Sequence, residues 1–121
     1  MTSEAHQLID TETTTMLLDA LEEDFYETID EFIEVGFDLS NKITRLTNDL
    51  SDNPDELLRT VHTLKGASGN IGAALLCTRC QNMESQLHNG DYNNLNPLAA
   101  EIADIFQQTK QMFIQQFRQE S

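Results

Sequence analysis

Between residues 23 and 50, apolar residues recur at alternating steps of four and three, which is the spacing of one stripe along a long helix. The stripe consists of Phe25, Ile29, Phe32, Gly36, Leu39, Ile43, Leu46 and Leu50, and it is widened by Ile33 and Phe37. A helix of this kind is stable only when its stripe packs against other apolar surfaces. Because alternating runs of β-branched residues are absent from the chain, those surfaces are expected to belong to further helices.

Turn residues divide the rest of the chain into further helical segments. The stretch "SDNPDE" ends the long helix and starts the next, with Asn53 as the expected cap and Pro54 at the first helical position. The stretch "NGDYNNLNP" is a polar loop, and Pro97 marks the start of the last helix. The predicted helices cover about residues 12–21, 23–50, 54–69, 73–89 and 97–118.

Short polar loops between four long helices favour antiparallel neighbours. The sequence therefore predicts an all-α fold, an antiparallel up-down four-helix bundle. The short first helix, capped by Thr11 or a neighbour, is expected to cover one end. A chain of 121 residues is long enough for one core, so residues 1–121 are expected to form a single domain.

The charge balance argues against several classes of partner. Seven basic residues among 21 acidic ones, with a net charge of −14, cannot form the basic stripe that nucleic acids or anionic membranes require. The acidity either solvates the surface or steers the chain toward a basic partner. No apolar run could span a bilayer and no signal peptide is apparent, so a cytoplasmic location is expected.

Two cysteines, Cys77 and Cys80, form the motif "CTRC". A redox pair of this spacing is expected after a strand, and a closed zinc site needs four ligands, so both interpretations lack support. Helical spacing instead places Cys80 on an apolar stripe with Leu76, Met83 and Leu87. We therefore predict a buried free thiol and no metal site.

The stretch "RTVHTLKGASGNIGA" places an unusual set of residues on one face of the third helix. His62 is followed by Lys65, Gly66 and Gly69 at positions i+3, i+4 and i+7, about 100° from the inward face that carries Val61, Leu64 and Ser68. Each glycine costs a helix about 1 kcal/mol relative to alanine. Because of this cost, we expect the two glycines to have a purpose other than helix formation.

Missing side chains beside His62 leave its imidazole open to another molecule. A neutral imidazole is nucleophilic, and Lys65 supplies a cation beside it, so the face suits a phosphoryl group held on nitrogen. Two alternatives remain: His62 is an ordinary surface residue, and Gly69 is a helix C-terminal glycine. No general base or second carboxylate is aligned with His62, so any chemistry would need a partner.

The segment "HTLKGASGNIGA" closely resembles the signature of the histidine-containing phosphotransfer (HPt) family, in which a phosphorylatable His precedes x-L-K-G-x-S and a further Gly. The flanking segments "LEEDFYETIDEFIE" and "LLCTRCQNMESQL" are similar to the helices on either side of that site, so the resemblance covers nearly the whole chain. It implies a four-helix bundle that carries phosphoryl groups between receiver domains without independent turnover, as a phosphoprotein of two-component signalling.

The resemblance also implies a role for each residue that matches the motif. His62 would be phosphorylated on its distal ring nitrogen, and Lys65 would neutralise the phosphoryl oxygens. Gly66 would give the receiver access, Ser68 would support the site from the inner side, and Gly72 would shape the turn that follows. Gly69, which shares the stripe of His62, is a further supporting residue. Many members place a Gln 22 residues after the His, where this chain has Glu84. A carboxylate there would repel a phosphoryl group or, alternatively, hydrogen-bond Lys65 or the ring. Gln81 is a second candidate for that support.

The implied partners are receiver domains, and a hybrid sensor kinase where one begins the relay. Mg²⁺ is expected on the receiver, and no cofactor is expected on this chain, which should act as a monomer.

An alternative function is that of an HPt-like binding module that sequesters a receiver or kinase without transfer. His6 and His88 are predicted to lie outside the setting of His62. A free-standing protein and an excised module of a hybrid kinase would look alike.

Overall fold

The computed structural model describes residues 8–49 and 54–117, which form five helices without strands. They are α1 (Thr11–Leu21), α2 (Asp24–Asn48), α3 (Pro54–Ile71), α4 (Ala74–His88) and α5 (Leu95–Phe117). Helices α2 to α5 pack in a closed ring, each against the next and α5 against α2, while α1 lies against α2 and α3. The predicted fold class, a four-helix bundle with an additional N-terminal helix, is confirmed.

Aromatic side chains join the N-terminal part of α2 to the C-terminal part of α5. The rings of Phe25 and Phe117 lie 5.2 Å apart, and those of Phe32 and Phe113 lie 5.9 Å apart, both close to edge-to-face. Gly36 lets the two helices approach, because a Cβ atom at this position would lie 2.5 Å from the ring of Phe106. The stripe of α2 is thus the seam that the sequence predicted, although Phe37 at its edge is 47% exposed.

Every helix end lies within two residues of the prediction, and two of the differences follow from local packing. Helix α3 continues through Gly69 to Ile71, so Gly69 lies inside the helix and is not its terminal glycine. Helix α5 begins at Leu95, before Pro97, because Leu95 is buried and proline is tolerated in a first helical turn. The predicted cap Asn53, as well as Leu50 and His6, lies outside the described residues.

The turn after α3 is closed by a backbone motif that needs glycine. Gly72 has φ +85°, while the N–H groups of Gly72 and Ala73 donate to the carbonyls of Gly69 and Ser68, which is the Schellman arrangement. The Asp10 N–H donates to the Gly72 carbonyl at 2.7 Å. Asp10 also caps α1, so the N-terminal helix is fastened to the end of the helix that carries His62.

The two cysteines are free, with Cys80 buried and Cys77 half-buried. Burial, assisted by the nearby Cys77, raises the pKa of Cys80 to about 12. The Cys80 thiol is therefore inert at neutral pH. Within residues 8–49 and 54–117, no group of three or more His, Cys, Asp and Glu side chains could hold a metal ion. None of the described helices is both long and apolar enough to cross a bilayer.

Candidate phosphorylation site

Helix α3 holds His62 on its outer face, directly beside its buried face. Val61 and Leu64 are fully buried in the core, whereas the His62 side chain is 66% exposed. Anchoring on the inner side fixes the rotation of the helix, and the rotation fixes which way the imidazole points. The ring is thus presented to solvent from a rigid element.

Glu84 on α4 contacts the inner nitrogen of the imidazole. His62 Nδ1 and Glu84 Oε2 lie 2.6 Å apart. An ionised carboxylate can only accept a hydrogen bond, so Nδ1 is the nitrogen that carries the proton in the neutral ring. The lone pair then resides on Nε2, the nitrogen farther from Glu84. The site therefore holds a nucleophilic nitrogen in a defined orientation.

The other oxygen of the same carboxylate faces Lys65. Lys65 Nζ lies 2.5 Å from Glu84 Oε1, which is an ion pair by distance, although the angles there do not meet those of a hydrogen bond. Contact with Lys65 is the largest influence holding the pKa of Glu84 below its ordinary value, and the bond from His62 adds to it, although burial acts in the opposite direction. Glu84 is thus an ionised group with only 9% of its side chain exposed.

Two glycines leave the surface of α3 bare around this triad. A Cβ atom added at Gly66 would have no atom within 4 Å, and one at Gly69 would meet only the Sγ atom of Cys77, at 3.5 Å. Neither glycine is therefore required by packing against the rest of the bundle. Their absent side chains instead leave one side of the imidazole open to a large molecule.

The remaining residues predicted for the site lie farther from its chemistry. Ser68 is fully buried and its hydroxyl donates to the Leu64 carbonyl at 2.7 Å, so it acts on the helix backbone from the inner side. Gln81 is exposed, and within the described part of the chain no hydrogen bond joins it to His62. Gly72 closes the turn at the end of α3. Glu84, rather than Gln81, is therefore the candidate that contacts the imidazole ring.

Two basic residues were not predicted at the site. Arg59 and His88 line a shallow hollow of about 390 Å³ together with His62 and Glu84, and Leu58 and Thr63 complete it. The sequence placed His88 only near a helix end, where it does lie, and the packing of the helices also brings it to the border of this hollow. Arg59 could have been found from its position one turn before His62. No sequence signal pointed to His88, because only the packing of α4 on α3 brings it there.

Comparison with known proteins agrees with this geometry. A family model described as "Hpt domain" matches residues 12–120. The chain belongs to the Hpt domain family. Its members are phosphocarrier modules, so a phosphotransfer role follows for this chain. A search among curated proteins found no significant match.

Two solved structures share the fold. The histidine-containing phosphotransfer protein B (HptB) of Pseudomonas aeruginosa PAO1 is 23% identical, with a TM-score of 0.79, and the match covers 96% of this chain and 99% of that one. A putative histidine-containing phosphotransfer protein from rice is 21% identical, with a TM-score of 0.81, covering 92% of this chain and 82% of that one. The similarity therefore extends over the whole bundle, beyond the region around His62.

Proposed function

We propose that His62 accepts a phosphoryl group from the aspartate of a receiver domain and passes it to a second receiver in a two-component phosphorelay. The observation that carries this proposal is the bond from His62 Nδ1 to Glu84, because it leaves the Nε2 lone pair exposed on a bare helix face. The chain acts as a carrier, and a partner supplies the rest of the reaction centre.

The transfer step needs only the groups that the two proteins bring. The Nε2 lone pair attacks phosphorus, the N–P bond forms, and the P–O bond to the aspartate breaks as the carboxylate leaves with its electron pair. The proton on Nδ1 stays in place, hydrogen-bonded to Glu84. Positive charge that develops on the ring is offset by this carboxylate.

Charge neutralisation on the phosphoryl oxygens is shared between the partners. The receiver brings Mg²⁺, which stabilises the transferring group, and no cofactor of this chain is required. Lys65 lies one turn from His62 on the same face, and Arg59 one turn to the other side, so cations flank the ring along the helix axis. These residues would hold the phosphoryl group between arrival and departure.

An apolar groove beside the bare face supports docking of a receiver. It lies between α1, α2 and α3, has a volume of about 360 Å³, and is lined by Leu17, Thr28, Glu31, Phe32, Val35, Ala67, Asn70 and Ile71. Val35 in this groove is 40% exposed. A small contact of this kind suits a transient complex.

We expect the chain to dock as a monomer in the cytoplasm, where it would also meet a hybrid sensor kinase.

The test is transfer from a phosphorylated receiver. Mixing this protein with receiver domains phosphorylated by acetyl phosphate should place an acid-labile, base-stable phosphate on it. The H62Q variant should accept none, whereas H88Q, which removes a histidine from the same hollow, should still be labelled. Labelling of H62Q equal to that of the wild type would overturn the assignment of the site.

A second candidate function is favoured by the one residue that departs from the family motif. Glu84 holds Lys65 and places a negative charge beneath the ring, which suits a module that binds a receiver without accepting its phosphoryl group. Binding of a receiver by wild-type protein that remains unlabelled would support this alternative.

A further inference from the structure

We propose that Glu84 is a positioning residue that biases His62 toward release of its phosphoryl group, making the chain a fast donor and a poor store of phosphate. This inference rests on the proposed function. It concerns the one position where the site departs from the family motif, and it follows from the two contacts of a single carboxylate.

Glu84 contacts His62 and Lys65 at once. Its Oε2 atom lies 2.6 Å from His62 Nδ1, and its Oε1 atom lies 2.5 Å from Lys65 Nζ. The carboxylate is 9% exposed and the Lys65 side chain 23% exposed. Because both groups are largely removed from water, the interactions among them are screened less than those of surface ion pairs.

The same contacts disfavour the phosphorylated state. Phosphorylation adds a net charge of about −1 to the site, because the phosphoryl group on Nε2 carries about −2 while the ring, which keeps its Nδ1 proton, becomes positive and is offset by the carboxylate. Lys65 can neutralise this charge only by leaving Glu84 or by being shared with it. Competition for Lys65 and repulsion between the carboxylate and the phosphoryl group therefore act against phosphorylated His62, and in this proposal they outweigh the attraction of the carboxylate for the ring.

The carboxylate also assists departure of the phosphoryl group. It holds the proton on Nδ1 of the phosphorylated ring, so the imidazole leaves as a neutral molecule. During delivery the receiver aspartate attacks phosphorus, a P–O bond forms, the N–P bond breaks, and its electron pair returns to Nε2. The Nδ1 proton does not move, and the step consumes no other reactant.

The E84Q substitution removes the negative charge at position 84 while keeping a side chain of the same size. A glutamine of the same size can still accept the Nδ1–H bond through its amide oxygen, which preserves the exposed Nε2 lone pair. It removes the negative charge and frees Lys65 for the phosphoryl group. With a receiver that phosphorylates the wild type, the equilibrium constant should shift about tenfold toward phosphorylated His62.

A second readout requires no receiver. Phosphoramidate can phosphorylate His62 directly, with ammonia as the leaving group, and loss of the phosphohistidine signal in ³¹P NMR then gives its lifetime. We expect a longer lifetime in E84Q than in the wild type. The matched control is E101Q, which removes one carboxylate from the exposed Arg79–Glu101 ion pair between α4 and α5. It should behave as the wild type does in both measurements.

Further variants show whether the effect passes through Lys65 and through the ring. In K65Q, the gain from E84Q should shrink, whereas in K42Q, which breaks the ion pair of Lys42 with Glu56, it should persist. The ¹⁵N shifts of His62 should report the Nδ1–H tautomer in wild type and E84Q, and a mixture of tautomers in E84A. A purely structural role of Glu84 would not produce this pattern.

The outcomes distinguish this inference from the proposed function. Wild-type protein that neither a phosphorylated receiver nor phosphoramidate labels at His62 overturns the proposed function, and this inference with it. Labelling of His62 with equal lifetimes and equilibria in E84Q and E101Q overturns the inference alone. A tenfold shift with a longer lifetime, confined to E84Q and dependent on Lys65, supports it.

Discussion

At the scale of single residues, the site is defined by one histidine and by what surrounds its two nitrogens. His62 is positioned by a carboxylate on Nδ1, and Nε2 is left open by two glycines that packing against the bundle does not require. The motif in the sequence identified the histidine, the lysine and the glycines because they lie on one stripe of one helix. The motif could not predict whether the Glu84 side chain points toward His62, because the position of a side chain on another helix depends on how the helices pack.

The lowered pKa of Glu84 predicts a pH dependence of stability. Because the carboxyl is a stronger acid in the folded state, its contribution is complete above the ordinary value of 4.5 and is lost as pH falls through the folded value. The wild type should exceed E84Q in free energy of unfolding by about 1 kcal/mol at neutral pH, and the difference should shrink below about pH 4.5. Urea denaturation of both proteins between about pH 7 and pH 3 measures it. A difference that stays constant would contradict the prediction.

At the scale of elements, close approach of helices is decided by small residues in the seams. Gly36 on α2 faces the ring of Phe106 on α5, whereas Gly66 on α3 faces solvent. Both glycines interrupt good helix-forming stretches, and the sequence alone does not distinguish their purposes. The structure does so through what an added methyl group would meet.

The two glycines should therefore respond in opposite ways to the same substitution. G36A should lower the free energy of unfolding by about 1–3 kcal/mol, because its Cβ would overlap Phe106 and force α2 and α5 apart. G66A should raise it by up to about 1 kcal/mol, because alanine favours the helix and meets no neighbour. Urea denaturation followed by far-ultraviolet circular dichroism tests both. If G66A destabilised the protein as much as G36A, the assigned geometry of α3 would be wrong.

At the scale of the whole molecule, the dominant feature is a net charge of −14. Acidic residues are concentrated on the exposed face at the start of α2, where Glu27, Glu31 and Glu34 follow one another at helical spacing. Like charges at this spacing repel, which reduces the stability of the compact state. Such a charge would favour partners with a basic docking face.

Screening this repulsion should stabilise the fold. Raising NaCl from about 20 to about 300 mM should increase the free energy of unfolding by about 1 kcal/mol. The triple variant E27Q/E31Q/E34Q should show a smaller increase with salt than the wild type. E101Q, whose carboxylate is paired with Arg79, should show the same increase as the wild type. Thermal unfolding in a salt series measures the effect. Stability that falls or stays level with added salt would contradict it.

Helical periodicity alone accounts for much of the fold. The stripe of α2, the start of α3 at Pro54 and the polar loop before α5 are local signals, so helix number, order and approximate length were predictable. Two of the ends that differ from the prediction by two residues are those where burial or a backbone turn extends a helix. Burial of Leu95 draws α5 past its proline, and the Schellman turn at Gly72 carries α3 beyond Gly69.

The sequence by itself determined a helical bundle with His62, Lys65 and two glycines on one outer stripe, because these features depend on helical spacing within single segments. The tertiary structure decided that Glu84 joins His62 to Lys65, and that Arg59 and His88 border the same hollow. The physical reason is that the register of α4 on α3 arises from the burial of many apolar side chains together, and no local pattern encodes it.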